Sequence, residues 1–392
     1  MKILFIVESD FLEDHVGVRR VITHYVKQLG EAGHTIAIAA IQDGGLVAGE
    51  LTVNTSSQTQ ALSHTPYWSS SSAEKIQVRT QAAVGAPLSV KWSHQAVNTD
   101  HFDLCVITTP WLCAKGLPPI KNSIGIVYDL VPNLLALECL RFPSHMEIYK
   151  FAHEHNIGFK YYIDHCQQVL CISESTRNDL LRLCPDAARI PHLFVDVPFP
   201  KARRTSHAQT SDGSILLVNA LDWRKNFKGI ERMLTKVADQ GKGLSITVIG
   251  RERMPLKYAM HFLRSLEAKG MAVNWFRDAE ESLLQHMYHS SDMLLFPSLY
   301  EGLGLPILEA QASGLPVISS SNSSCKEVNM NPSLTFDTSD EAGMVNALMS
   351  LTQRATNQAP WLRGTALTDA QIAYLSTASQ GIVRPQAMSL LN

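Results

Sequence analysis

The 392-residue chain predicts an α/β protein made of two Rossmann-like domains with parallel sheets. Three features carry that prediction. Short apolar runs alternate with segments of helical spacing along most of the sequence, and alternating β and α units bury parallel strands under helices on both faces. The pattern stops at residues 196–213, a linker-like mixture of Pro, Lys, Arg, Ser and Gly, and then starts again. The length also suits two cores better than one.

Taken in order, Lys2–Val7 and residues 35–41, 104–108, 124–128 and 169–172 read as buried strands of the first domain. Residues 19–32 place Val21, Ile22, Tyr25, Val26 and Leu29 on one helical face, with Gly33 as the stop. Residues 52–75, rich in Ser, Thr and Gln, read as a mobile loop. Residues 134–166 are helix-rich, and Tyr149, Phe151, Phe159, Tyr161 and Tyr162 suggest a buried aromatic face. After the linker, strands are expected at 215–220, 245–249, 272–276, 293–296 and 316–319, and helices at 227–240, 256–268, 280–290 and 306–312. The first domain is placed at 1–200, the second at 201–372, and 373–392 is a tail able to return to the first. Ligands of such sheets sit beyond the carboxyl ends of the strands, so two facing domains would share a central cleft.

Composition narrows the function classes. Hydrophobic residues at 45% and charged residues at 18% are those of a soluble globular protein, and a formal charge of −2 gives no global attraction for nucleic acid. No stretch approaches the roughly 20 apolar residues a membrane span needs. The opening MKILFIVESDF lacks a small-residue cleavage site and reads as a first strand rather than a leader. Seven cysteines form no CxxC pair, which speaks against zinc or a disulfide framework and for a reducing cytoplasm. His153 and His155 point to different sides of a helix and read as surface residues, so no metal site is expected.

The most informative stretch is EGLGLPILE, residues 301–309, after the apolar run 293–297. Gly302 and Gly304 lack Cβ and let a ligand approach the backbone. Pro306 suits the first position of a helix, where its missing N–H would be unpaired anyway. The free N–H groups and positive dipole end of that helix favour a phosphate. Glu309 is placed in the first turn, able to accept hydrogen bonds from a sugar diol. LDWRKN, residues 221–226, puts Arg224 and Lys225 at the mouth of the sheet, where paired cations can neutralise a diphosphate. A solvated turn capped by Asn226 or Asp222 is the other reading of that segment.

The series NALDWRKN, VIGRE and FPSLYEGLGLPILEAQASGLPVISS resembles the nucleotide-binding half of the retaining glycosyltransferase family 4, of GT-B fold. The resemblance rests on the RKN-type segment, on the Glu-x7-Glu pattern at Glu301 and Glu309, and on the run through Ser321, Asn322 and Glu327. It is close over most of residues 214–337 and looser over the first half. It implies that Arg224 and Lys225, with Asn226, hold the donor diphosphate and that Glu309 binds the ribose hydroxyls. Glu301, with the N–H groups from Gly302, Leu303, Gly304 and Leu305, would face the transferred sugar. Arg251 and residues 275–277 would lie near the base, although Trp275 itself reads as a core aromatic.

In the first domain VGVRR resembles the family's glycine-containing loop, with Gly17 admitting a phosphate and Arg19 or Arg20 reaching it or an acceptor. VYDLVP, residues 127–132, departs from the family: Tyr128 stands where many relatives carry histidine, while Asp129 remains. Tyrosine can bond a sugar hydroxyl but cannot serve as a base near neutral pH. Ser173 and Ser175 read as helix caps. Asn219 and Ala220 replace glycines frequent in relatives, and the stretch after residue 355 lacks the family's closing helix, although residues 368–378 could cross back onto the first domain.

The implied activity is retaining transfer of a hexosyl group from a nucleotide-diphosphate sugar to a glycan or lipid-linked glycan, in bacterial surface polysaccharide synthesis. The absence of an Asp-x-Asp motif suits a metal-independent enzyme whose donor is a co-substrate rather than a cofactor. Other polysaccharide-assembly enzymes are expected partners, and nucleic acid is not. A cytoplasmic location is expected, with peripheral membrane contact through the aromatic run and Lys150 and Lys160. A non-catalytic sugar-nucleotide-binding or scaffold subunit and a GT-B-like sugar-nucleotide epimerase are the alternatives. Acceptor-dependent release of nucleoside diphosphate separates all three.

Overall fold

The computed structural model describes residues 1–12, 16–42, 44–53, 57–70, 76–83, 88–139, 146–195, 213–241 and 243–354. They divide into two compact units, the first with Met1–Ser57 and Ala83–Pro198, the second with Gln58–Ala82 and Phe199–Ile372. Most of the expected linker, the tail at 373–392 and the crossing at 368–378 lie outside the described residues.

An eight-stranded sheet organises the first unit, in the order His192–Phe194, Gln168–Cys171, Ser123–Val127, Leu104–Ile107, Lys2–Val7, Thr35–Gln42, Gly45–Val53, Leu88–Ala96. The first six strands are parallel, and Gly45–Val53 pairs antiparallel with both of its neighbours, Thr35–Gln42 and Leu88–Ala96. Leu4, Ile6, Ile107, Val127 and Val169 share a core with Phe159 and Tyr162 of the helix Met146–His165. Phe159, Tyr161 and Tyr162 form a buried face of that helix, whereas Phe151 and Ile157 are exposed. The fit is close: a Cβ at Gly158 would stand 2.1 Å from the carbonyl oxygen of Pro110.

A seven-stranded sheet organises the second unit, in the order Thr335–Phe336, Val317–Ser320, Met293–Phe296, Ser214–Val218, Ser245–Ile249, Ala272–Phe276, Trp68–Ser69. All pairs are parallel except the last. Ile215 and Leu217 face one core with Ile230, Leu234, Phe262 and Leu348, while Leu216 and Val218 face another with Met287, Ile307 and Leu308. Burial on both faces is why the central Ser214–Val218 and Met293–Phe296 read as nearly continuous apolar runs in the sequence. From the central Ser214–Val218 the chain builds two strands outward on one side, then crosses to Met293–Phe296 on the other. The carboxyl ends of those two strands therefore flank a topological switch point, where ligands of open α/β sheets bind. LDWRKN leaves from one end and EGLGLPILE follows the other.

Two expectations need correction. Residues 52–75 are not simply a loop: Gly45–Val53 widens the first sheet, Ser57–His64 and Ile76–Ala83 form a separate two-stranded sheet, and Trp68–Ser69 joins the second sheet. Backbone hydrogen bonds to an existing edge need no apolar stripe, so a polar sequence can form such strands. The helix Glu341–Arg354 was also not anticipated, and its Met344 and Leu348 complete one core of the second unit.

Because the atom facing Gly158 is backbone, Gly158→Ala is expected to destabilise by about 1–3 kcal/mol. Gly30→Ala, in the helix Val16–Glu31 with open space around it, should instead stabilise by about 0.4–1 kcal/mol. Urea unfolding of the two variants beside the wild type checks both signs.

Candidate active site

The loop after Ser214–Val218 is shaped by two caps. Asp222, buried, accepts the N–H of Arg224 at 2.9 Å and caps the short turn Trp223–Lys225. Asn226 takes a left-handed conformation (φ 60°) and its Oδ1 accepts the N–H of Gly229 at 3.2 Å, starting the helix Phe227–Ala238. The asparagine expected at the donor diphosphate therefore spends its side-chain oxygen on a cap. Arg224 donates from Nε and Nη2 to Asp222 Oδ2 at 3.0 and 2.8 Å. Its carbonyl accepts the N–H of Leu299 at 2.7 Å and lies 3.1 Å from the Ser298 hydroxyl oxygen, which ties this loop to the one after Met293–Phe296.

Lys225 is buried, donates to Glu301 Oε1, and holds its ammonium 4.5 Å from the centre of the Phe296 ring. Glu301 is buried too, and its Oε1 also accepts from the Ser298 hydroxyl. A serine-rich run fixes the loop around it. The N–H of Glu301 donates to Ser323 Oγ at 2.8 Å, the Ser324 hydroxyl donates to the Glu301 carbonyl at 3.1 Å, and Asn322 Nδ2 donates to the Leu299 carbonyl at 3.2 Å. Ser323 does this with φ 46°, an uncommon conformation for a residue with a side chain. Burying a charge pair gives little net stability, since desolvation offsets the attraction. Stability alone does not account for its place at the switch point.

Gly304, at φ 91°, turns the chain into the helix Leu305–Ala312, with Pro306 at its start. The conformation strains any residue with a Cβ, which explains the glycine. Glu309 corrects an expectation: it is the fifth residue of this helix, and the first turn holds no acid. It lies buried beneath the helix start, and its Oε2 accepts the hydroxyl of buried Tyr288 at 2.7 Å. Gly302 and Leu303 are half-buried in the loop ahead of Gly304.

At the neighbouring strand ends, Arg251 is largely exposed and donates from Nε to Asp278. Arg277 makes two hydrogen bonds of 2.7 Å to Glu252. Trp275 is fully buried, as its core reading required, and its Nε1 donates to the Gly250 carbonyl at 2.9 Å. Asn219, read from the sequence as replacing a glycine, has φ 52°, a conformation asparagine tolerates.

In the first unit Gly17 lies within the helix Val16–Glu31 rather than in a loop, and Arg19 Nη1 donates to the Leu12 carbonyl at 2.5 Å. Asp129 Oδ1 accepts the N–H of Val131 at 3.0 Å, starting the helix Val131–Cys139. The Tyr128 hydroxyl is buried with no hydrogen-bond partner among the described residues, and burial pushes its pKa well above the usual range. Ser173 caps the helix Glu174–Leu183 through the N–H of Thr176 at 3.1 Å. His155 is not the surface residue expected. It is buried, stacked on Trp111 with ring centres 5.3 Å apart, and within 3.2 Å of Asn133 Oδ1. Two-residue spacing shows only that His153 and His155 face differently, and the turn Pro110–Lys115 covers the His155 side. Burial lowers the His155 pKa to about 4, against the opposing pull of Asp129.

The described cysteines are free, and burial raises the thiols of Cys166, Cys171 and Cys325 to about 12. Among the described residues no group of His, Cys, Asp and Glu could hold a metal ion. Sequence reasoning missed Ser298, Ser323, Ser324 and Tyr288. The dense serines at 319–324 were the available signal for Ser323 and Ser324, while nothing in the spacing of Tyr288 pointed to Glu309.

Lys225→Ala leaves the Glu301 carboxylate buried without its cation and should cost about 3–5 kcal/mol. Adding Glu301→Ala should cost less than the sum of the single changes, which a double-mutant cycle measures. His155 gives a pH dependence: its folded pKa lies below the unfolded value of about 6.5. The associated stability is present above that value and is lost as pH falls toward about 4. The fall in urea midpoint between pH 7.5 and pH 5 should therefore be smaller for His155→Gln than for the wild type.

The family model described as Glycosyl transferases group 1 matches residues 199–358. Over 158 residues the chain is 27% identical to the O-antigen chain mannosyltransferase B of Escherichia coli, covering 39% of this chain and 41% of that protein. Over 99 residues it is 31% identical to the Escherichia coli UDP-Gal:alpha-D-GlcNAc-diphosphoundecaprenol alpha-1,3-galactosyltransferase, covering 25% of this chain and 24% of that protein. The chain thus spans less than half the length of these curated relatives. Its fold is similar to that of Anabaena HepE, solved in complex with UDP and glucose, with a TM-score of 0.60 at 13% identity over 99% of each chain. That likeness is one of fold, the α/β fold of two Rossmann-like domains found in GT-B glycosyltransferases. Arg224, Lys225, Glu301 and Glu309 all lie within residues 199–358, the stretch that the glycosyl transferases group 1 model matches.

Proposed function

We propose that this protein transfers a hexosyl group, with retention of configuration, from a nucleotide-diphosphate sugar to a lipid-linked glycan in bacterial surface polysaccharide synthesis. The observation that carries the reading is the buried Lys225–Glu301 pair at the switch point of the second sheet, close in sequence to the helix start at Gly304. The activities of the mannosyl- and galactosyltransferase relatives support the same reaction class, and the diphosphoundecaprenol substrate of the latter supports a lipid-linked acceptor.

The chemistry asked of the chain is electrostatic. As the diphosphate leaves the anomeric carbon it gains negative charge, which Arg224, Lys225 and the N–H groups at the start of Leu305–Ala312 meet. A diphosphate that recruits the Lys225 ammonium frees the Glu301 carboxylate to face the positive charge growing on the sugar ring. Glu309 receives the ribose hydroxyls. Protein cations take the part a divalent metal plays elsewhere, and no cofactor is needed beyond the donor. Tyr128, held protonated by burial, is no base. The leaving phosphate oxygen then assists removal of the acceptor proton. Exposed Phe151 and Ile157, with Lys150 and Lys160 on the same helix, provide peripheral contact with the cytoplasmic face of the membrane.

Thermal unfolding with a panel of nucleoside diphosphates tests the reading. A ligand at 100 times its Kd should add about 2.7 kcal/mol of stability to the wild type. Glu309→Ala should lose most of that gain. If no nucleoside diphosphate raises the wild-type melting temperature, the proposed donor is wrong.

A further inference from the structure

The segment Gln58–Ala82 belongs to the second unit although it comes from the first half of the sequence. Its strand Trp68–Ser69 pairs antiparallel with Ala272–Phe276, Trp68 opposite Trp275 and Ser69 opposite Asn274. The Tyr67 N–H donates to the Trp275 carbonyl at 2.7 Å, the Ser70 N–H to the Val273 carbonyl at 2.9 Å, and the Ser69 hydroxyl to Asn274 Oδ1 at 2.6 Å. The antiparallel register carries Tyr67 to the carboxyl end of Ala272–Phe276, the end at which such sheets bind ligands.

Tyr67 is firmly held there. Its ring meets buried Trp275 edge-on at 4.8 Å and 76°, and the Arg277 guanidinium carbon lies 5.4 Å from its centre. Arg277 is in turn fixed by its two hydrogen bonds to Glu252. Even so, Tyr67 is 53% exposed, more than any other large apolar side chain among the described residues. A rigid aromatic ring beside a cation, with much of its surface in water, is a stacking platform of the kind nucleobases use.

Ala272–Phe276 lies two strands from Ser214–Val218, whose loop carries Arg224 and Lys225. Trp68–Ser69 lies one strand further out, so at roughly 4.8 Å per strand the backbone at Tyr67 is about 14 Å from Ser214–Val218, and its ring meets that of Trp275.

We propose that Tyr67 is the platform for the base of the donor nucleotide, so that a segment from the first half of the chain completes the nucleoside site of the second unit. This assignment rests on the nucleotide-donor reading above. The competing role for Tyr67 is to cover the open edge of the sheet.

Calorimetric titration of wild type, Tyr67→Phe and Tyr67→Leu with UDP, GDP and ADP decides between them. Tyr67→Leu keeps an apolar contact with Trp275 but has no π face. The preferred nucleoside diphosphate should bind Tyr67→Leu about tenfold more weakly or worse, and Tyr67→Phe like the wild type. Melting temperatures near that of the wild type would show that the fold is intact. Equal affinity of wild type and Tyr67→Leu overturns the assignment and leaves Tyr67 an edge cover. Equal loss in Tyr67→Phe overturns stacking as the cause. A wild type that binds none of the three overturns the nucleotide-donor reading itself, and this assignment with it.

Discussion

The second unit is arranged around one expensive interaction, the Lys225–Glu301 ion pair buried at the ends of two neighbouring strands. Two charges removed from water lose several kcal/mol of hydration each, and their attraction repays this only when the remaining hydrogen bonds are made. Much of the surrounding loop structure supplies those bonds. Ser298 donates to the carboxylate, Ser323 and Ser324 hold the backbone of Glu301, and the Arg224 carbonyl joins the two loops through Ser298 and Leu299. The left-handed conformations of Asn226 and Ser323 are the backbone strain that places these groups.

The pairing also sets the electrostatic state of the site. Each expected phosphate-binding cation already has an acid beside it, Asp222 for Arg224 and Glu301 for Lys225. The site is therefore close to neutral, and an anion would have to compete with carboxylates rather than fall into a positive well. Such competition couples ligand charge to the position of Glu301. Lys225 cannot strengthen a bond to a diphosphate without weakening its bond to the carboxylate. Under the proposed function, the donor thus assembles the group that faces the sugar, a form of binding energy turned toward catalysis.

How much of this the sequence disclosed follows from which groups are buried. Met293–Phe296 is an unbroken buried apolar run, and short, mostly apolar clusters marked out Ser245–Ile249 and Ala272–Phe276, so all three were placed to the residue. The motif around Gly304 was legible because only glycine suits its conformation. Leu88–Ala96 and Trp68–Ser69, held by backbone bonds at sheet edges, carry no such pattern and went unseen, as did Gly45–Val53 between two partner strands. Long-range side-chain partners were invisible for the same reason: Tyr288 and Glu309 are 21 positions apart on different helices. His155 was misjudged because local spacing cannot report that Trp111, 44 positions earlier, lies flat against its ring.

The first unit shows the opposite electrostatic economy. Tyr128 and His155 are both held neutral by burial, the one protonated and the other deprotonated near neutral pH. A histidine with a pKa of about 4 is a poor proton acceptor, because a base must approach the operating pH to be effective. Asp129 is committed in part to the N–H of Val131. Neither Tyr128 nor His155 is therefore suited to act as a general base. If the chain is a sugar transferase, the acceptor proton must leave by another route, and the departing phosphate oxygen is the strongest base the reaction itself creates.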